Sequence, residues 1–432
     1  MQKKSTLRLF IAFSLALLQT NAYAQVAKAP TQEAYVEINS KGVNVPISLA
    51  NLGSGVQSIE YTLTSGGKVI ETKTVSLKGE NMTRGGNSTL NVVVPPYSDT
   101  TVDEVAFNIT KVNGQPTNMK EPYTTIERKT LSQTATRKVV VEDYTAMWCG
   151  WCPRGLAMLG YLTRQYPNDF IGIAIHGSQD PLMCSSYSSL ISGLGGYPYI
   201  IFNRSIESKD YSGYNTFRSE RSQGAEMDVK VSAMWDKQKR NIAVTTKTTF
   251  RTKPYRNTFA LAYVLTADGL KNSSYYQKNY FAGNSQYQGY TKELDYFVNS
   301  PGTIRNFTFD HTAIAANGIT NGMQGSIGQI VVDKPQTHET SFDNISQYSA
   351  IQDKSKLHVI VLVINTSTGK IVNADQCSIS DYVVTGIESA STATNVVEVA
   401  RYNISGARIN QPVKGVNIVK YSDGSTVKEI VK

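Results

Sequence analysis

The segment Val141-Glu142-Asp143-Tyr144-Thr145-Ala146-Met147-Trp148-Cys149-Gly150-Trp151-Cys152 joins two signals. Its first half closes an apolar run that starts at Lys138, the pattern of a strand buried on both faces of a parallel or mixed sheet. Its second half sets two cysteines three positions apart, where the strand gives way to a helix over Arg154 to Tyr166. Leu156, Leu159, Tyr161 and Leu162 supply the apolar face of that helix, and Pro167 stands just beyond its end. A second buried strand follows at Phe170 to Ile175. A Ser- and Gly-rich stretch with a short helix at Pro181 to Ile191 comes next, then Gly195-Gly196-Tyr197-Pro198 and a strand over Tyr199 to Asn203. The order is β-α-β, a mixed helical stretch, then β.

That placement gives the cysteines a chemistry. A helix N-terminus carries unpaired N–H groups and partial positive charge, which stabilise a thiolate. Cys149 is therefore expected as the exposed attacking thiol and Cys152 as the buried resolving one. Asp143, six positions before Cys149, can take the proton of Cys152. Pro198 is expected to follow a cis bond and to press against the pair, with Trp148 as its shield. Trp151 and His176 are supporting residues, and His176 either tunes Cys149 or caps a turn. Two other readings of the pair stay open. One is a structural disulfide, although a four-residue loop is a poor staple. The other is half a zinc site, which lacks a second cysteine pair, and His176 alone cannot complete four ligands. No metal or cofactor is expected. Cys184 and Cys377 are candidates for a structural disulfide, or else small buried residues.

The segment 141–152 resembles the active-site strand and turn of the thioredoxin superfamily, and residues 136–222 match that superfamily's order of elements. The resemblance implies redox roles for Cys149 and Cys152, proton transfer for Asp143 and substrate docking at Pro198. Two departures stand out: the Gly150-Trp151 dipeptide between the cysteines, and the insertion-like segment between Gly177 and Gly196. Over about 133–383 the chain also resembles a Bacteroidetes outer-membrane or surface protein family in which a thioredoxin-like domain precedes a β-sandwich. The tail Tyr402-Asn403-Ile404-Ser405-Gly406-Ala407-Arg408, continued by Lys414 to Gly424, is similar to a type IX secretion sorting domain, though shorter.

Outside 133–223 the period changes to two. Residues 25–132 read as short alternating strands with turns such as Gly66-Gly67 and Asn113-Gly114, which indicates an Ig-like β-sandwich. Residues 224–383 read as a second sandwich, with strands that include Met227 to Met234, Ile242 to Phe250 and Gly325 to Val332. A Tyr-rich irregular piece lies at Leu270 to Ser300, its rings expected to pack over the sandwich or the neighbouring domain. A polar linker at Ser389 to Asn395 leads into a β tail, 386–432, of about three short strands. The fold class is thus α/β plus all-β in several domains.

Residues 1–24 form a secretory signal peptide. Lys3, Lys4 and Arg8 precede the apolar run Leu9 to Leu18, and Ala22-Tyr23-Ala24 is a cleavage box. The run is shorter than the roughly 20 residues a membrane span needs. The 432-residue chain carries 43 Lys and Arg against 34 Asp and Glu, and loss of the leader lowers the net charge from +9 to about +6. The basic residues are scattered, so no nucleic-acid footprint is expected. The mature protein is expected outside the cytoplasm, at the outer membrane or cell surface, in the periplasm or secreted. The leading functional expectation is a thiol–disulfide oxidoreductase whose partners are protein thiols or disulfides and a redox partner that the sequence does not identify. The competing expectation is a surface binding or adhesion protein that uses the same fold as a scaffold.

Overall fold

The computed structural model describes residues 32–50, 55–77, 87–119, 121–382, 397–422 and 424–431. The leader and the 389–395 linker lie outside them. The chain forms two compact units, one ending at Asp381 and one spanning Tyr382–Lys432.

The first unit opens with a β-sandwich. Val43–Ala50 buries Val45, Ile47 and Leu49 and pairs antiparallel with Asn87–Val94. Facing them is a sheet in the order Gln32–Glu37, Thr124–Leu131, Val102–Val112, Ser58–Ser65, Lys68–Ser76. Its inward residues, Ile59, Tyr61, Leu63, Val105, Phe107 and Ile109, close one apolar core with the first pair. Alternation of apolar and polar positions is what lets each strand bury one face and wet the other.

The rest of the unit is organised by one eleven-stranded sheet. Its order is Ile206–Glu207, Tyr199–Phe202, Val139–Thr145, Phe170–His176, Thr312–Asn317, Phe259–Ala267, Leu357–Asn365, Ile371–Ser380, Met227–Trp235, Ile242–Phe250, Gln336–Phe342. Val139–Thr145 and Phe170–His176 are parallel, with Asp143 opposite Ala174. The sheet crosses the 223/224 boundary drawn from the sequence, because Ala174 pairs with Thr312 and brings the two regions into one ladder.

Three apolar cores lie on this sheet. Helices Pro153–Gln165 and Tyr214–Ser222 pack on Val139, Val141, Phe170, Ile200 and Phe202. Leu261, Tyr263, Leu265, Val359 and Val361 face Val229, Val231, Trp235, Ile242 and Val244, which makes the second sandwich. The alternate residues Ala262, Val264, Ile360 and Leu362 point the other way and share a core with Ile171, Ile173, Ile175, Cys184 and Tyr187.

Three regions depart from expectation. Residues 325–332 form no strand, and the ladder edge is instead Gln336–Phe342, whose sequence QTHETSF has no apolar alternation to announce it. The Tyr-rich piece is partly regular, with a strand Tyr276–Lys278 and a helix Lys292–Val298. The Tyr382–Lys432 unit has four strands rather than three, in the order Arg408–Ile409, Glu398–Asn403, Gly415–Tyr421, Thr426–Val431. No helix among the described residues is long and apolar enough to cross a membrane.

Candidate functional site

Cys149 and Cys152 form a disulfide, with Cα atoms 5.4 Å apart, at the start of helix Pro153–Gln165. Proline at the first helical position fits there because its missing N–H would have had no partner within the helix. Cys152 is fully buried, and Cys149 is only 6 % exposed. The expected contrast between an exposed and a buried cysteine is therefore absent, and part of the cover comes from far away in sequence. The segment after Asn272 runs along the cysteine loop as a strap. Lys278 N–H donates to the Met147 carbonyl at 2.8 Å and Tyr280 N–H to the Gly150 carbonyl at 2.9 Å. Gln277, itself buried, donates through Nε2 to the Cys149 carbonyl at 3.0 Å. Gly150 permits this approach, since a Cβ there would stand 2.5 Å from the Tyr280 ring.

Asp143 and Glu142 are neighbours on one strand and point to opposite faces. Glu142 accepts from Arg204 at 2.7 and 2.8 Å and from the Tyr187 hydroxyl at 3.3 Å. Asp143 has no hydrogen-bond partner at either carboxyl oxygen among the described residues. Burial pushes its carboxyl up to about 8, against a smaller opposing pull from Arg154. It lies against Gly155, where a Cβ would meet its oxygens at 2.2 to 2.3 Å. Gly155 N–H in turn donates to the Cys152 carbonyl at 3.0 Å. The result is a neutral acid under the first turn of the cysteine helix, able to hold or release a proton near neutral pH.

The Tyr197–Pro198 bond is cis, as the placing of Pro198 ahead of a strand predicts. Tyr197 packs against Ala146, Cys149 and Cys152. The shielding expected of Trp148 thus falls to Tyr197. Trp148 is 43 % exposed and meets the Tyr197 ring edge-on at 5.6 Å. Trp151 leans the other way, edge-on to Tyr280 at 5.5 Å and to Phe281 at 5.3 Å. His176 is buried, with Nδ1 3.0 Å from Asp180 and its ring edge-on to Phe309. Burial alone would raise Asp180. Its contacts with His176 and with the Met147 and Leu182 amides outweigh that and hold it below the usual carboxylate range. His176 therefore anchors the loop that carries Met147, a positioning role.

No protein-family model matches this chain, and no curated protein matches it. Solved structures give partial likenesses. HBP35 of Porphyromonas gingivalis is 15 % identical at a TM-score of 0.43, over 69 % of this chain and 99 % of that one. A protein of Agrobacterium tumefaciens is 19 % identical at 0.31, over 57 % and 96 %. A domain of the outer membrane lipoprotein Omp28 from Porphyromonas gingivalis is 11 % identical at 0.20, over 37 % and 92 %.

Cys184 and Cys377 are both free thiols, so the disulfide considered for them does not form. Cys377 pairs in register with Val359 and sits on the second-sandwich face of the sheet. Cys184 belongs to the core on the opposite face. Among the described residues no group of three or more His, Cys, Asp or Glu side chains is arranged to hold a metal ion. Sequence reasoning missed Gly155, Gln277 and Tyr280. Only Gly155 carried a local signal, as an interior glycine in a helical pattern. The other two reach the loop from 128 and 130 positions away.

Proposed function

We propose that this chain is an exported cell-surface binding or adhesion protein that uses a thioredoxin-like fold as a scaffold. The observation that carries this reading is the strap. Thiol–disulfide exchange needs an incoming thiolate to reach a sulfur, and a protein substrate that docks as an extended segment needs free backbone groups beside it. Here Cys149 is 6 % exposed, and the Met147 and Gly150 carbonyls already accept from Lys278 and Tyr280. The disulfide closes too short a loop to stabilise much through chain entropy. Its role is to fix the turn on which the strap lies. Export rests on the leader at 1–24, and the resemblance of the tail to a sorting domain gives that tail a transport role.

A second reading, an oxidoreductase acting on protein disulfides, is favoured by one observation. Asp143 is buried, unpartnered and held neutral beside the cysteine helix, an arrangement suited to proton transfer. Insulin reduction separates the two. A rate no higher than that of the added thiol alone supports the scaffold. Catalysed turnover, with mixed disulfides trapped by Cys152→Ser and not by Cys149→Ser, overturns it in favour of the oxidoreductase.

A further inference from the structure

Beside the disulfide lies a cleft of about 370 Å³ lined by Trp151, Arg154, Pro198, Tyr211, Phe281 and Tyr287. Its walls are aromatic and interlocked. Tyr211 meets Tyr287 at 5.2 Å, and Phe281 meets Tyr287 at 4.8 Å. Trp151 is 46 % exposed, which leaves ring surface open to a ligand. The volume is near the small end of ligand sites, about 300 to 1,000 Å³, and suits one ring rather than a long polymer.

The charge in this cleft is one-sided. Arg154 enters its lining and no carboxylate does. One Arg154 donor goes to the Lys209 carbonyl at 3.2 Å, and its Nε is buried with no partner among the described residues. Arg154 forms no ion pair among those residues. Asp143, under the first turn of Arg154's helix, is pushed up to about 8 by burial and so is mostly neutral at pH 7. No acidic residue stands in the first turn of the helix that carries Arg154, so the positive end of that helix is also uncompensated. A guanidinium with free donors binds a carboxylate through paired N–H groups. Aromatic walls accept a ring with an apolar face.

We propose that this cleft binds a carboxylate carried on a six-membered ring, with the acid on Arg154 and the ring against Trp151 and Tyr287. The proposal rests on the binding-scaffold reading and names its ligand class. Two sources share that chemistry, a uronic-acid residue of a glycan and a small aromatic acid.

Titration calorimetry of the full oxidised protein at pH 7 with glucuronate, benzoate and glucose tests it. Glucuronate or benzoate is expected to bind at least about tenfold tighter than glucose, the scale of one charge-assisted contact. Glucuronate alone assigns the glycan source, and benzoate alone the aromatic one. Arg154→Gln is expected to erase the preference over glucose, while Arg154→Lys retains part of it. Circular dichroism confirms that each variant is folded. If Arg154→Gln does not fold, the wild-type comparison of glucuronate and benzoate with glucose decides alone. No binding of either acid, equal binding of glucose, or an unchanged preference in a folded Arg154→Gln protein overturns the proposal. None of these measurements involves redox turnover, so they fail or succeed apart from the insulin assay.

Discussion

Asp143 shows how one buried side chain couples proton binding to folding. Its carboxyl lies at about 8 in the fold, above the ordinary value of 3.8. Between those values the native state holds a proton that the unfolded chain has lost. Stability from this group is full below about pH 4 and falls as pH rises, by up to about 1.4 kcal/mol per unit, levelling above pH 8. Asp143→Asn is expected to flatten that slope, so its thermal midpoint should gain on the wild type most at pH 8. Parallel lines from pH 4 to 8 would show that Asp143 does not carry the proton. Gly155 gives a second prediction. Alanine is the better helix former by about 1 kcal/mol, yet its Cβ would stand 2.2 Å from Asp143 Oδ1. Overpacking of about 1 to 3 kcal/mol should win, so Gly155→Ala should lower the midpoint. Combined with Asp143→Ala it should recover, as a double-mutant cycle would show. Much at this scale was legible. The spacing of Cys149 and Cys152, Asp143 six positions earlier, and Pro198 before a strand all have local signatures. The burial of Cys149 was not legible, because its cover combines Tyr197 with a segment near 280 that bonds the cysteine loop.

At the scale of elements, the strap is the feature that local pattern could not supply. Tyr276–Lys278 is three residues long, and its partners include Thr303–Arg305 and the cysteine loop. Neither contact leaves an apolar period in the sequence. The edge strand Gln336–Phe342 was missed for a related reason, since its exposed face and polar composition mimic a loop. Residues 325–332, by contrast, looked like a strand from Ile327, Ile330, Val331 and Val332. Gly325 and Asp333, both at positive φ, break the backbone at either end. The strap makes its own prediction. With the disulfide intact, the Lys278 and Tyr280 amides should exchange slowly with solvent, since both are bonded to the cysteine loop. Reduction, or replacement of both cysteines by serine, should loosen that loop and speed exchange at those two amides more than in Val139–Thr145. Uniform change across both segments would mean that the disulfide does not hold the strap.

The whole molecule divides near the polar linker and stays joined across the change of period at 223/224. In the Tyr382–Lys432 unit, Val419 is the one fully buried apolar residue among those described, and Arg401 is held by Glu398 and Glu429. So little apolar burial makes a marginal fold. Deleting 383–432 is expected to move the thermal midpoint of the remainder by no more than about 2 °C, under 1 kcal/mol; a larger fall would show that the tail supports the main core. The 223/224 boundary behaves differently. The period change there is real, but it marks a change of layer within one sheet. Ile171, Ile173 and Ile175 share a core with Ala262, Val264, Ile360 and Leu362. Strand Phe170–His176 has Thr312–Asn317 as its second neighbour. A fragment of 133–223 would therefore present a row of isoleucines and an unpaired strand edge to water, the combination that drives aggregation. Met147 would also lose its place in the second-sandwich core. That fragment is expected to be insoluble or molten, whereas 133–381 should give one cooperative unfolding transition. A soluble 133–223 fragment with a sharp transition of its own would mean that the α/β part is an autonomous domain, and that the strap is an addition to a site complete without it.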